Sequence, residues 1–140
     1  MPNLMFKFLF IAIFSLHSLT LSAKEAIDVT EVLMPEIPTV SRTAAIYLKL
    51  HNNTEKEVIL INVSTNVAHH AMIHLSRDID GIAKMQHIDE LKIPAKSQFE
   101  FSTNGYHIML MGLDKKLLSA PFEVKLEFKN HPTKTFLVGQ

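Results

Sequence analysis

Four residues of this 140-residue chain carry the two side-chain types that bind soft metal ions: His74, Met85, His107 and Met109. Thioether sulfur is soft and uncharged, so together with imidazole it suits Cu(I), whereas it is a poor ligand for zinc, calcium or magnesium. The set therefore predicts a site for monovalent copper. Because no thiolate is present, such a site can also release the ion to a partner with better ligands.

The spacing of these residues indicates how two segments would present them. His107 and Met109 are two positions apart on a predicted strand, so their side chains leave the same face. His74 and Met85 flank Asp80-Gly81, a strong hairpin turn signal. If Arg77 pairs with Ile82 around a four-residue loop, His74 lies directly opposite Met85, with Cβ atoms ~4.5–5.5 Å apart. Each segment would then supply one nitrogen and one sulfur.

The remainder of the chain indicates strands. Apolar and polar residues alternate with a period of two, most clearly from Phe122 to Phe128. Asparagine, glycine and proline separate the runs. We expect strands at 27–33, 46–50, 57–63, 70–76, 82–88, 98–103, 106–111, 122–128 and 134–138. Short strands at this density predict one all-β domain, an antiparallel β-sandwich.

The first 23 residues are typical of a secretory signal peptide. Lys7 precedes an apolar run that begins at Phe8, and the segment ends on the small residue Ala23. We therefore expect a signal peptide at 1–23 and an exported domain at 24–140. The apolar run is shorter than the ~20 residues that a spanning helix needs, so no membrane span is predicted for the mature form.

Composition excludes several classes of protein. The chain contains no cysteine, which excludes a disulfide scaffold, a thiol nucleophile and a lipidated N-terminal cysteine. It also excludes a blue-copper electron-transfer site, which needs a thiolate. Fourteen basic residues balance fourteen acidic ones, so there is no electrostatic footprint for a nucleic-acid partner.

Other potential donors lie close to the first four in sequence. Met72 and His87 would form an auxiliary pair under the same hairpin register, or would border the site. Met111 has the strand phase of His107 and Met109, although a methionine in a sandwich usually fills gaps in the core and we prefer a rim or core position for it. Cu(II) binding at secondary histidines, His69 and His70, is a further alternative.

The spacing also reproduces a family signature. His74, Met85, His107 and Met109 follow H-x10-M-x21-H-x-M, the pattern of the periplasmic copper chaperones called PCu(A)C. The chance expectation for such a match is on the order of one in a thousand. The segments 81–85, 91–95 and 105–113 are similar to the family as well. The family often has an acidic residue after the first histidine, where this chain has Leu75.

This resemblance implies the fold, ligands and partners. The fold would be a cupredoxin-like β-sandwich with Greek-key connections and an exposed Cu(I) site. The metal ligands would be His74, Met85, His107 and Met109. The protein would carry copper in the periplasm to a copper-acceptor protein, either a subunit of cytochrome c oxidase or another copper-assembly protein.

Three function classes compete for this chain. A metallochaperone without catalytic turnover fits the donor set, the export signal and the lack of cysteine. A copper oxidase or dismutase is less suited, because two thioethers favour the monovalent state. The third class is a secreted β-sandwich for adhesion, with incidental donors. The sequence shows no grouping of nucleophile, base and orienting residue that would favour hydrolysis.

Overall fold

The computed structural model describes residues 24–139, so the predicted signal peptide at 1–23 lies outside the described residues. Within them, the chain forms ten strands and one short 3-10 helix, Leu117–Ser119. The strands are β1 Ile27–Leu33, β2 Thr43–Asn52, β3 Val58–Thr65, β4 Ala68–Ile79, β5 Ile82–His87, β6 Leu91–Ile93, β7 Ser97–Phe101, β8 Tyr106–Leu113, β9 Phe122–Phe128 and β10 Lys134–Val138.

The strands form two antiparallel sheets. The first sheet has the order β1-β2-β8-β4-β5, with β7 also paired to β2, and the second has the order β10-β9-β3-β6. Neighbours such as β8 and β4 are distant in sequence, as in Greek-key sandwiches. The predicted all-β, cupredoxin-like antiparallel sandwich is confirmed.

Alternating side chains build the core between the two sheets. On β2, Ile46, Leu48 and Leu50 are buried, and Val124 and Leu126 face them from the second sheet. The intervening side chains of β2 and β9 are more exposed, as strand geometry requires. The opposite face of the first sheet is therefore left for polar and sulfur-containing residues.

The β4–β5 hairpin has a tighter turn than the expected four-residue loop. Ile79 pairs with Ile82, and Asp80 and Gly81 alone form the loop, at φ 55° and 76°. Positive φ at both central residues is the type I′ arrangement, whose twist matches that of the flanking strands. The expected pairing of Arg77 with Ile82 is wrong, and each residue of β4 pairs two positions further along β5 than expected.

A buried amide connects the first sheet to two loops. The side-chain nitrogen of Asn52, at the end of β2, donates to the carbonyl oxygens of Lys56, Ile93 and Pro94. Its side-chain oxygen accepts from the backbone N–H and the hydroxyl of Thr54. Because Ile93 belongs to β6 of the second sheet, this amide stabilises the sandwich at the end of β2.

Residues 24–139 include no helix with the length and apolar character needed to cross a bilayer.

Candidate metal site

The outer face of the first sheet carries a dense set of donor side chains in register. His74 of β4 pairs with His107 of β8 on one side and with His87 of β5 on the other. One step along the sheet, Met72 pairs with Met109. Strand alternation places all of these side chains on the face opposite the buried Ile73 and Ile108.

Three imidazoles form a row across this face. The ring centroids of His74 and His107 are 5.9 Å apart with an interplanar angle of 82°. Those of His74 and His87 are also 5.9 Å apart, at 82°. Two imidazoles that share a metal at N–metal distances of ~2.0–2.1 Å place their centroids about 5–6 Å apart. The row therefore has the spacing of a metal-sharing pair on either side of His74.

His107 is held in a defined orientation. Its Nδ1 lies 3.2 Å from the carbonyl oxygen of Gly105, and because a carbonyl only accepts, Nδ1 carries the proton. The same carbonyl accepts the backbone N–H of Ser76, which ties the start of β8 to β4. With only 3% of the residue exposed, the ring is fixed and its Nε2 is left as the free lone pair.

His74 is the partly buried centre of the row. Its Nδ1 is buried and has no hydrogen-bond partner. Burial lowers the pKa of His74 below 6.5, and the neighbouring His107 and His87 rings lower it further because they would carry like charge. A buried nitrogen without a hydrogen-bond partner, on a ring held neutral, suits a metal ligand, because a ligand must be deprotonated at the nitrogen that binds.

The two predicted methionine ligands differ in environment. Met109 is half-buried beside His107, while Met85 is 61% exposed on the edge strand β5. Both line one surface cavity of about 310 Å³, together with His107 and Tyr47. Met85 pairs with Ser76, so it lies diagonally from His74 rather than opposite it. Diagonal neighbours are ~7–8 Å apart, a distance that a long thioether can still bridge.

The fold thus brings together His74, His107 and Met109 directly, and Met85 through the cavity. The expected pairing of Met72 with His87 does not occur, because Met72 lies opposite Met109 and beyond the end of β5. His69 points to the other side of β4 from His70, and its ring packs where a Cβ on Gly112 would fall. These two histidines consequently lie on opposite faces of the sheet.

His87 lies closer to the proposed ligands than its expected role as an auxiliary or bordering residue implied. Once the hairpin register is corrected, His87 is the direct neighbour of His74. It differs from His107 in being exposed, with Nε2 3.1 Å from a carboxylate oxygen of Asp89. If Asp80-Gly81 is treated as a two-residue hairpin turn, the sequence alone places His87 opposite His74.

In the described part of the chain, no three His, Asp or Glu side chains lie close enough together to hold a metal by themselves. The donors that the sheet does bring together are mixed, with imidazole next to thioether. Imidazole next to thioether is a donor set that suits a soft metal ion.

Comparisons with known proteins agree with this architecture. A copper-bound PCuAC domain from PmoF2 superposes with a TM-score of 0.65 at 18% identity, covering 82% of this chain and 92% of that one. The apo form of DR1885 from Deinococcus radiodurans gives 0.58 at 23% identity, covering 98% and 93%. Its Cu(I) form gives 0.60 at 25% identity, covering 79% and 73%. No curated protein sequence matches the chain.

The sequence profile of one family matches residues 27–138, which is nearly all of the described domain. That family is described as "Putative lipoprotein LpqE-like". The chain therefore belongs to the LpqE-like family and has the fold of the PCuAC domains.

Proposed function

We propose that this protein is a periplasmic copper chaperone that binds one Cu(I) ion through His74, Met85, His107 and Met109. The observation that carries the proposal is the buried Nδ1 of His74, which has no hydrogen-bond partner. The ring of His74 lies next to that of His107, with the two ring centroids 5.9 Å apart. The likeness to two solved structures that hold copper, a PCuAC domain from PmoF2 and the Cu(I) form of DR1885, supports the choice of metal.

The two imidazoles supply the rigid half of the proposed site. His107 is fixed by the carbonyl of Gly105, so its Nε2 needs no reorganisation to bind the ion. His74 is already favoured in its neutral form by burial. Preorganised neutral nitrogens lower the free-energy cost of binding, because neither rotation of His107 nor proton release from His74 is required near neutral pH.

The two thioethers supply the adaptable half. Met109 closes the site from β8, and the exposed Met85 closes it from the edge strand. A thioether is a neutral ligand on a side chain with three rotatable bonds, so Met85 can leave the ion without leaving a buried charge. An acceptor with stronger ligands would displace Met85 first, since it is the most exposed of the four.

Binding and transfer require no catalytic residue, and we propose that the protein is not an enzyme. The signal-like segment at 1–23 supports export to the periplasm. The acceptor is a copper-acceptor protein, either a respiratory oxidase subunit at its copper centre or another copper-assembly protein. Cu(II) binding at secondary histidines remains a secondary prediction.

An anaerobic Cu(I) titration against a chromophoric competitor tests the proposal. Wild type should bind one ion tightly, and alanine variants of His74, Met85, His107 and Met109 should each lose affinity by at least tenfold. His51 offers a matched control, because its Nε2 is occupied by the hydroxyl of Thr30 at 2.8 Å on another strand pair. His51→Ala should keep wild-type affinity, and four variants that bind like wild type would refute the ligand set.

A further inference from the structure

Next to the proposed copper ligands, the outer face carries a second block of donors. His70 pairs with Met111 and Met72 pairs with Met109 across β4 and β8. Directly opposite residues have Cβ atoms ~4.5–5.5 Å apart. Successive pairs on one face are ~6.6–6.8 Å apart along the strands. The imidazole of His70 and the thioethers of the three methionines therefore start from the four corners of a rectangle. All four side chains are long enough to reach a single ion above its centre.

These methionines do not fill the core. Met72, Met109 and Met111 are half-buried, and none of them packs against the hydrophobic core of the described domain, whereas Met34 does. Packing therefore does not account for three thioethers on one sheet face. Of the two positions expected for Met111, rim or core, the structure therefore fits the rim.

The block is open to solvent on the side of His70. His70 and Met72 line a groove of about 420 Å³ that runs between the edge of β4 and β3, beyond the point where β5 ends. An ion can therefore reach His70 and Met72 without passing through the proposed primary site. His69 lines the same groove, but strand alternation places its side chain on the other face of β4 from His70 and Met72.

We infer that His70, Met72 and Met111 form a second Cu(I) position, adjacent to the first and bordered by Met109. The inference depends on the proposed function only in its choice of metal. A site of one imidazole and two thioethers, without a buried histidine, should bind less tightly than the first. Because Met109 borders both positions, it can contact an ion in either of them, and the outer face can hold two ions side by side.

Ag(I) titration followed by NMR of ¹³C-methyl-labelled methionine tests the inference, because Ag(I) mimics Cu(I) without redox chemistry. The first equivalent should shift the methyl signals of Met85 and Met109. The second equivalent should shift those of Met72 and Met111, with a dissociation constant at least tenfold weaker. The Met34 methyl is the internal control and should not shift, since it packs against the core.

A double variant, Met72→Leu with Met111→Leu, retains the volume of both side chains but removes both sulfurs. Native mass spectrometry should show two Ag(I) ions on wild type and on Met34→Leu, and one on the double variant. A second ion retained by the double variant would overturn the second position. Methyl signals of Met72 and Met111 that stay fixed while Met85 and Met109 shift would overturn it as well, yet leave the proposed function intact. If no methyl shifts, both the second position and the proposed ligand set are wrong.

Discussion

His74 is the residue on which the proposed site depends most. It pairs with an imidazole on each side, and its own Nδ1 is buried without a partner. In an ordinary core such an atom would cost about 1–3 kcal/mol of stability. A bound metal ion would remove that cost, so the same feature that destabilises the free protein contributes to its affinity for the ion.

The pKa of His74 gives a prediction for the metal-free protein. Burial is the largest cause that lowers this pKa, and repulsion from the His107 and His87 rings lowers it further, so the pKa lies below 6.5. The unfolded chain would thus bind more protons than the folded one just below pH 6.5, and this residue's contribution to stability falls as pH drops through the folded pKa. NMR titration of the His74 ring should give a midpoint under 6.5. His107→Gln should raise that midpoint, and a wild-type midpoint above 6.5 would contradict the assignment.

A second prediction at this scale concerns the two neighbours of His74. Both rings lie 5.9 Å away, but His107 is buried and oriented by Gly105, whereas His87 is exposed and its Nε2 faces Asp89. In Cu(I) competition titrations, His107→Ala should weaken binding at least tenfold and His87→Ala less than threefold. The reverse order would make His87 the second imidazole ligand.

Among the elements, the β4–β5 hairpin determines where Met85 lies. All six residues of β5 are exposed, so little packing stabilises the hairpin. Its register therefore depends largely on the turn residues. Asp80 and Gly81 both have positive φ, which suits glycine and is tolerated by aspartate.

Replacing Gly81 therefore tests this element. An added Cβ meets no atom within 4 Å, so Gly81→Ala costs backbone energy only, about 1–2 kcal/mol for a left-handed residue. We expect a lower urea midpoint and a loss of Cu(I) affinity of a few-fold, because a frayed β5 presents Met85 less often. Asp80→Asn retains a preferred type I′ pair and is the control. Equal affinity for Gly81→Ala and wild type, together with a lowered urea midpoint, would mean that the turn does not control how Met85 reaches the ion.

The same hairpin marks the limit of prediction from sequence. Period-two alternation predicted most strands, including β1 at 27–33 and β10 at 134–138, because exposed and buried faces differ in composition. The three-residue strand β6 was missed, since Leu91–Ile93 is too short to show a period. The predicted register of the hairpin was wrong by two residues. Met85 is still on the expected face of the sheet, but the residue opposite His74 is His87 instead of Met85. Turn type depends on the twist of the paired strands, which a single segment does not reveal.

At the scale of the whole molecule, the proposed site and the Asn52 hydrogen bonds that connect the two sheets lie at different positions along β2. Tyr47 borders the site beside His107, whereas Asn52 lies five residues further along, roughly 17 Å at strand rise. The β2–β3 loop and β6 both depend on the Asn52 amide, which contacts neither the imidazole row nor the methionines. Stability and metal affinity should therefore be separable by mutation.

Asn52→Asp tests that separation. The carboxylate cannot donate to the three carbonyl oxygens that the amide nitrogen now contacts, and it places a charge in a fully buried position. We expect the free energy of unfolding, from urea denaturation, to fall by at least about 2 kcal/mol. Asn53→Asp is the matched control, because the half-buried amide of Asn53 makes one hydrogen bond, to the carbonyl of Glu25, and its loss should cost under about 1 kcal/mol.

Under folding conditions the Cu(I) dissociation constant of Asn52→Asp should stay within twofold of wild type, since the rows of donors on β4, β5 and β8 are unchanged. A tenfold weaker constant in a variant that is still folded would mean that the end of β2 and the outer face respond as one unit.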